Sequence, residues 1–130
     1  MININISEQA LEYKGKSYSI STSKNGIGEI EDSYCTPTGK FKIAEKIGAN
    51  LEFGSVLVDR EPTGEIYNTD LAKQYPDRDW ILTRILWLDG VEAHNQNTKN
   101  RYIYIHGSPD ETPIGMPRSK GCIRMHNSDV

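Results

Sequence analysis

The chain opens on a strict alternation. Ile2, Ile4 and Ile6 fall on one side of an extended backbone, Asn3 and Asn5 on the other, because successive strand side chains point to opposite faces. Ala10-Leu11-Glu12-Tyr13 reads as a second strand, Lys14-Gly15-Lys16 as a turn and Ser17 to Thr22 as a third strand. This is the pattern of a β-meander with glycine at the tight position. A loop through Asn25-Gly26 and Gly28 follows, then a turn at Thr36-Pro37-Thr38-Gly39, and alternation resumes from Lys40 to Ile47. Residues 48–79 carry Gly48, Gly54, Pro62, Gly64 and Pro76 and show the weakest pattern, which in a small domain marks a functional or mobile segment. Asp79 to Leu88 reads as a buried strand or strand pair, Gly90 as a turn, and residues 94–100 as a polar loop. Arg101 to Ile105 predicts a strand running into His106-Gly107, and Ser108 to Lys120 a loop rich in proline and glycine. Helical periodicity is weak throughout. The expected fold is mainly β, a β-sandwich or open barrel with one or two short helices.

Composition narrows the class. The chain has 130 residues, the size of a single domain spanning 1–130, with 36% hydrophobic and 25% charged residues, an ordinary globular balance. The net charge is −3, from 15 basic and 18 acidic side chains. That leaves no basic footprint for nucleic acid. No apolar run approaches the roughly 18 residues of a membrane span. The N-terminus has neither a basic n-region nor an apolar h-region, so the chain as it stands reads as cytoplasmic, with a periplasmic or wall location as the alternative if a leader precedes it. A monomer without cofactor or metal is expected. The two cysteines, Cys35 and Cys122, are too few for a disulfide framework and are expected as free thiols.

Candidate chemistry gathers near the C-terminus, in Ile105-His106-Gly107-Ser108 and Ser119-Lys120-Gly121-Cys122-Ile123-Arg124-Met125. A thiol becomes a strong nucleophile beside an imidazole or a positive charge. His106, at a strand end, is positioned to be the general base for Cys122. Residues 107–121 give enough loop to fold the cysteine back onto it. Gly121, lacking Cβ, lets the backbone turn so that the N–H groups of Gly121, Cys122 and Lys120 can aim at one oxyanion. Lys120 and Arg124 flank the thiol and favour thiolate. A zinc site of Cys122, His126 and His106 is a weaker alternative, since it lacks a fourth ligand. Cys35 reads as a small buried hydrophobe and His94 as a solvated loop residue. Trp80 and Trp87 read as core or lid aromatics, and Tyr67 and Tyr75 as surface tyrosines able to meet sugar or peptide.

The ordered motifs resemble the L,D-transpeptidase catalytic domains of the YkuD type. In these, a His-Gly-Ser/Thr element precedes Ser-His-Gly-Cys-Ile/Val-Arg-Met/Leu, and a Thr-Pro-Thr-Gly turn leads an aromatic-containing strand. The matching residues are His106-Gly107-Ser108, Ser119 to Met125, and Thr36 to Phe41. The resemblance implies acyl transfer on peptidoglycan stem tetrapeptides through a Cys122 thioester, with release of the terminal D-Ala. The acceptor is then an amine, giving a cross-link. The alternative is water, which makes the enzyme a cytoplasmic L,D-carboxypeptidase trimming tetrapeptide to tripeptide in murein recycling. It further implies that a backbone carbonyl orients His106, that Arg124 supports the loop or a substrate carboxylate, and that Tyr104, Gly107, Ser108, Ser119 and Lys120 line the substrate pocket. Residues 53–80 match a mobile lid, and carbapenems are expected to acylate Cys122. Lys120 stands where the family more often has His. A helix capped by Asn127 and a closing strand would follow the motif, so the C-terminal end reads as truncated at Val130.

Overall fold

A computed structural model describes residues 2–28, 35–109, 112, 114–117, 119 and 121–130. Nine strands form one curled sheet, a half-barrel. They are β1 (Ile2–Asn5), β2 (Ala10–Tyr13), β3 (Lys16–Ser19), β4 (Gly39–Ile47), β5 (Ser55–Val58), β6 (Glu61–Ile66), β7 (Ile81–Gly90), β8 (Tyr104–Ser108) and β9 (Ile123–His126). One short helix, α1 (Thr69–Gln74), is capped by Asn68, whose side chain accepts from the Leu71 N–H. Two single-turn 3-10 helices, Ala93–Asn95 and Lys99–Arg101, lie between β7 and β8. The strand order is β3-β2-β1-β4-β7-β5-β6, and β8 pairs with both β7 and β9.

The expected meander is present as β1, β2 and β3, antiparallel throughout. Several boundaries differ from expectation. Of the strand or strand pair read over residues 79–88, the single strand is present, but it begins at Ile81 and runs on through Gly90. Lys99–Arg101 closes a 3-10 turn and Tyr102 takes a left-handed conformation (φ 57), so β8 begins at Tyr104 rather than Arg101. Asn127 begins no helix: residues 127–129 form a turn in which Val130 N–H bonds to His126 O. The weakly patterned stretch holds the β5–β6 hairpin, whose outer strand contains Pro62 and Gly64. That strand is the end of the sheet path, where a missing N–H does least harm.

β7 is the hub. Its later residues pair with β4, its first two with β5, and its other edge with β8. The ladder to β8 breaks between Leu82 and Ile85. There Thr83 adopts φ 73, a costly conformation for a β-branched residue. Its buried hydroxyl holds the kink by accepting from Gly54 N–H (3.0 Å) and donating to Asn127 Oδ1 (2.8 Å).

The alternation of β8 and β9 divides the side chains between the two faces of the sheet. Ile105, Ile123 and Met125 join Ile2, Leu11, Ile20, Phe41, Leu88 and Ile103 in the main core. The opposite face carries a smaller cluster of Leu57, Ile85 and Tyr104, against which Trp87 and Cys122 pack. Every residue of β8 is buried, as suits a strand covered on both faces.

Candidate active site

The Cys122 and His106 side chains reach the same face through β8 and β9. The two strands are parallel, with Ile105 opposite Ile123 and His106 opposite Arg124. Continuing this register by one residue sets Cys122 beside Tyr104. Tyr104, His106, Cys122 and Arg124 thus share the face of the smaller cluster.

The imidazole is fixed from one side. His106 Nδ1 lies 2.7 Å from the Gly107 carbonyl oxygen. A carbonyl can only accept, so Nδ1 carries the proton and Nε2 presents a lone pair. The residue is 1% exposed, and Nε2 has no hydrogen-bond partner among the described residues. Burial holds the His106 pKa below the usual imidazole value, opposed by the Gly107 bond and by Asp79. The ring is therefore neutral near pH 7.

The thiol is held elsewhere. Cys122 Sγ accepts from Tyr104 N–H at 3.4 Å and faces the Tyr102 carbonyl at 3.5 Å. Burial pushes its pKa up to about 11, with the Tyr104 bond working against the rise. The thiol is thus protonated and not bonded to His106 in this arrangement. A raised pKa stabilises the fold below the unfolded thiol value of 9.0, and that contribution is lost as pH climbs to about 11. Unfolding titrations should show a fall of roughly 2–3 kcal/mol over that window. The fall should be smaller by about that amount in Cys122→Ala, where Tyr104, whose pKa burial also raises, leaves a remainder; an identical fall in the variant would contradict the assignment.

The turn before Cys122 is braced by residues far upstream. Gly121 takes φ 126, a conformation open to glycine. Its N–H donates to Ser119 Oγ (3.2 Å), and that hydroxyl donates in turn to the Cys122 carbonyl. Ser119 is itself buried and bonded through its N–H to Thr22 O (2.8 Å). Ser119 thus braces the turn, and the Gly121 N–H is committed to that brace. Lys120 lies outside the described residues. Ser21 and Arg124 exchange both backbone bonds at 2.9 Å. Thr36, the first residue of the Thr-Pro-Thr-Gly turn, donates to the Gly121 carbonyl (3.0 Å) and accepts from Ser23 N–H (2.8 Å). Thr36→Val keeps the shape and strands two buried partners. It should lower the unfolding free energy by about 2 kcal/mol, read by chemical denaturation; an unchanged midpoint would remove Thr36 from this role.

A polar roof covers the smaller cluster. Arg60, at the β5–β6 turn, donates to Tyr104 Oη (2.8 Å) and sits 5.1 Å from the ring centres of Trp87 and Tyr102. Asp59 and Arg60 both have positive φ, at 49 and 67. On the other side, Arg124 Nη2 pairs with Asp79 Oδ1 at 3.1 Å. Ser108, two residues past His106, is 1% exposed, and its hydroxyl has no partner among the described residues. Gly107 lies opposite Leu82 of β7. Sequence reasoning missed Arg60 and Asp79. It singled out the Thr36 turn without its role.

Cys35 and Cys122 are both free thiols. Cys35 is half-buried, with Sγ 3.4 Å from the Asn25 carbonyl, rather than sealed in the core. Exposed His94 places Nε2 3.1 Å from the Thr38 carbonyl. Trp80 meets Tyr67 edge-on, with ring centres 5.0 Å apart. No group of three or more His, Cys, Asp or Glu among the described residues is arranged to hold a metal ion. No helix among them is long and apolar enough to cross a membrane.

A histidine on β8 and a cysteine immediately ahead of β9 thus share one face of a curled β-sheet. The sequence profile of the L,D-transpeptidase catalytic domain, YkuD, matches residues 1–130, and the chain belongs to that family. The fold is also that of L,D-transpeptidase 3 from Mycobacterium tuberculosis. A structure of that protein in complex with a faropenem-derived adduct matches with a TM-score of 0.50 and 16% identity, over 96% of this chain and 50% of that one. Its structure at 1.32 Å resolution matches with a TM-score of 0.50 and 15% identity, over 96% of this chain and 51% of that one. The chain thus spans about half the length of these solved structures. A comparison with curated proteins found no match.

Proposed function

We propose that this domain is a cysteine acyl-transferase acting on peptidoglycan stem peptides, with Cys122 as nucleophile and His106 as general base. The observation that carries the reading is the unpartnered, buried Nε2 of His106 on the same sheet face as Cys122. Buried polar atoms without partners are uncommon, and a base whose far nitrogen is anchored has one lone pair left to use.

The sequence of events follows from these positions. Rotation of the Cys122 side chain away from the Tyr102 carbonyl carries Sγ toward Nε2. His106 takes the thiol proton, and the thiolate attacks the carbonyl of the bond before the terminal D-Ala. The tetrahedral intermediate collapses as His106 returns the proton to the leaving amine. D-Ala departs and a thioester remains on Cys122. An amine from a second stem then gives a cross-link, or water gives a tripeptide. The resting thiol is half-buried, and Arg60 of the β5–β6 turn reaches Tyr104 on the same face. Arg124, Gly107, Ser108 and Tyr104 lie around the pair. We take residues 1–130 as one catalytic domain acting as a monomer without cofactor. The M. tuberculosis relative forms an adduct derived from faropenem, and the same β-lactam class is expected to acylate Cys122.

The test is product analysis of a disaccharide-tetrapeptide digest. Dimer with loss of one D-Ala supports transpeptidation, and tripeptide supports the carboxypeptidase form. Unchanged tetrapeptide, with no loss of D-Ala, counts against both.

A further inference from the structure

Cys122 is held from two sides by backbone that lies far from it in sequence. Its Sγ faces the Tyr102 carbonyl at 3.5 Å. The Gly121 carbonyl just before it accepts from the Thr36 hydroxyl at 3.0 Å. Tyr102 ends the Lys99–Arg101 turn, whereas Thr36 bridges to Ile27 ahead of β4. The placement of the thiol therefore depends on how these two segments sit against each other.

One side chain joins them. Arg101, immediately before Tyr102, is half-buried and donates from two guanidinium nitrogens to the Gly28 carbonyl (2.9 Å) and the Cys35 carbonyl (2.8 Å). Gly28 and Cys35 flank the Ile27–Thr36 bridge, where Gly28 N–H donates to Thr36 O and Thr36 N–H to Gly26 O, both at 3.0 Å. A planar fork that fills two carbonyls at once fixes direction as well as distance. The turn itself is secured separately, because Trp87 Nε1–H donates to the Lys99 carbonyl at 3.1 Å. Removing the Arg101 head group thus leaves the turn in place and frees the Tyr102 carbonyl to shift against the Thr36 segment.

We propose that Arg101 is a positioning residue for the nucleophile: its guanidinium clamps the Tyr102 carbonyl to the Thr36 segment, and so fixes both the acceptor of the Cys122 thiol and the turn that carries it. Its loss has two consequences of opposite sign. The S–H loses a fixed acceptor, while Tyr104 N–H, held in the β7–β8 ladder, still donates to the sulfur. Thiolate is then favoured. At the same time the Gly121 turn is held less firmly, so the thiol spends less time aligned with His106 and a substrate carbonyl. A cysteine that ionises more readily yet acylates more slowly is the signature of lost positioning, and general destabilisation does not produce it. The charged and titratable groups around the thiol are Tyr102, Tyr104, His106, Asp79, Arg60 and Arg124, and all of them remain. Removing the positive charge of Arg101 would by itself disfavour thiolate, so a shift toward thiolate cannot come from that charge. The catalytic half of the proposal rests on the acyl-transfer reading above; the ionisation half does not.

The experiment compares the wild type with Arg101→Met, Arg101→Lys and Arg84→Met. Arg84 also donates to two backbone carbonyls, those of Leu51 and Thr83, but to neither segment that holds Cys122, so it controls for the loss of a structural arginine. The first readout is alkylation of Cys122 by iodoacetamide across a pH series, resolved from Cys35 by peptide mapping. The second is single-turnover acylation by a β-lactam, with limiting rate and half-saturating concentration separated. Arg101→Met should lower the alkylation midpoint by about half a unit or more. It should cut the limiting acylation rate about tenfold to a hundredfold with half-saturation unchanged. Arg101→Lys, with one ammonium in place of the fork, should fall between, and it decides the question if the methionine variant does not fold. The proposal is overturned if the Arg101 variants keep the wild-type midpoint or raise it, if Arg84→Met shifts it equally, or if the midpoint falls while the limiting rate stays that of an acylating wild type. A wild type that is not acylated at all would sink the acyl-transfer reading, and the alkylation midpoints would still decide whether Arg101 positions the thiol.

Discussion

Cys122→Ala is expected to abolish acyl-enzyme formation, and His106→Gln to slow it by about a thousandfold. The two substitutions act on different parts of the step. Alanine removes the atom that forms the thioester. Glutamine keeps a polar side chain in the His106 position but has no lone pair of comparable basicity. Because burial lifts the thiol to about 11, only a small fraction is thiolate at neutral pH without a base. The His106→Gln rate should therefore rise steeply with pH up to that value, while the wild type should level off lower. Single-turnover acylation by a β-lactam, followed by intact mass across a pH series, reads both. A His106→Gln enzyme with an unchanged rate and pH profile would remove His106 from the mechanism.

Gly107→Ala has the next largest expected effect, and it acts on fold and site together. A Cβ at this position would lie 2.7 Å from the Leu82 carbonyl and would overlap the Asn127 side-chain oxygen. The Leu82 oxygen belongs to the backbone of β7 and cannot swing away, so β8 must move off its partner. The same carbonyl group of residue 107 anchors His106 Nδ1. Asn127 also accepts from Thr83, so the kink in β7 loosens too. The expected cost is about 3 kcal/mol of stability, of the kind seen for overpacked interiors, with loss of acylation beyond what unfolding explains. Denaturation curves and acylation rates on the folded fraction separate the two. Wild-type stability with full activity would contradict this account of the β7–β8 contact.

Legibility in the sequence followed the range of the interactions. Ile2-Asn3-Ile4-Asn5 and Lys40 to Ile47 were readable because alternation is local and each strand has one buried face. His106 and Cys122 were readable as chemistry because their residue types are scarce and their motifs ordered. The β5–β6 hairpin was hidden because Pro62 and Gly64 suppress a strand signal that only an edge position tolerates. Arg101 to Ile103 looked extended, yet Arg101 is drawn into a 3-10 turn from which its guanidinium reaches the Gly28 and Cys35 carbonyls at 2.9 and 2.8 Å. β9 is a strand only because β8 and Ser21 flank it. Arg60 on Tyr104 and Asp79 on Arg124 join residues 44 and 45 positions apart, and no local pattern announces such pairs. The resting thiol, bonded to the 102–104 backbone instead of to His106, was equally out of reach of the motif.

The central claim is that Cys122 carries the acyl group. The most direct measurement is intact-mass spectrometry of the protein incubated with disaccharide-tetrapeptide, followed by peptide mapping. The account predicts an added mass equal to the substrate less D-Ala, located on Cys122 and absent from Cys122→Ala. No adduct, or an adduct on Cys35 that persists in Cys122→Ala, would contradict it.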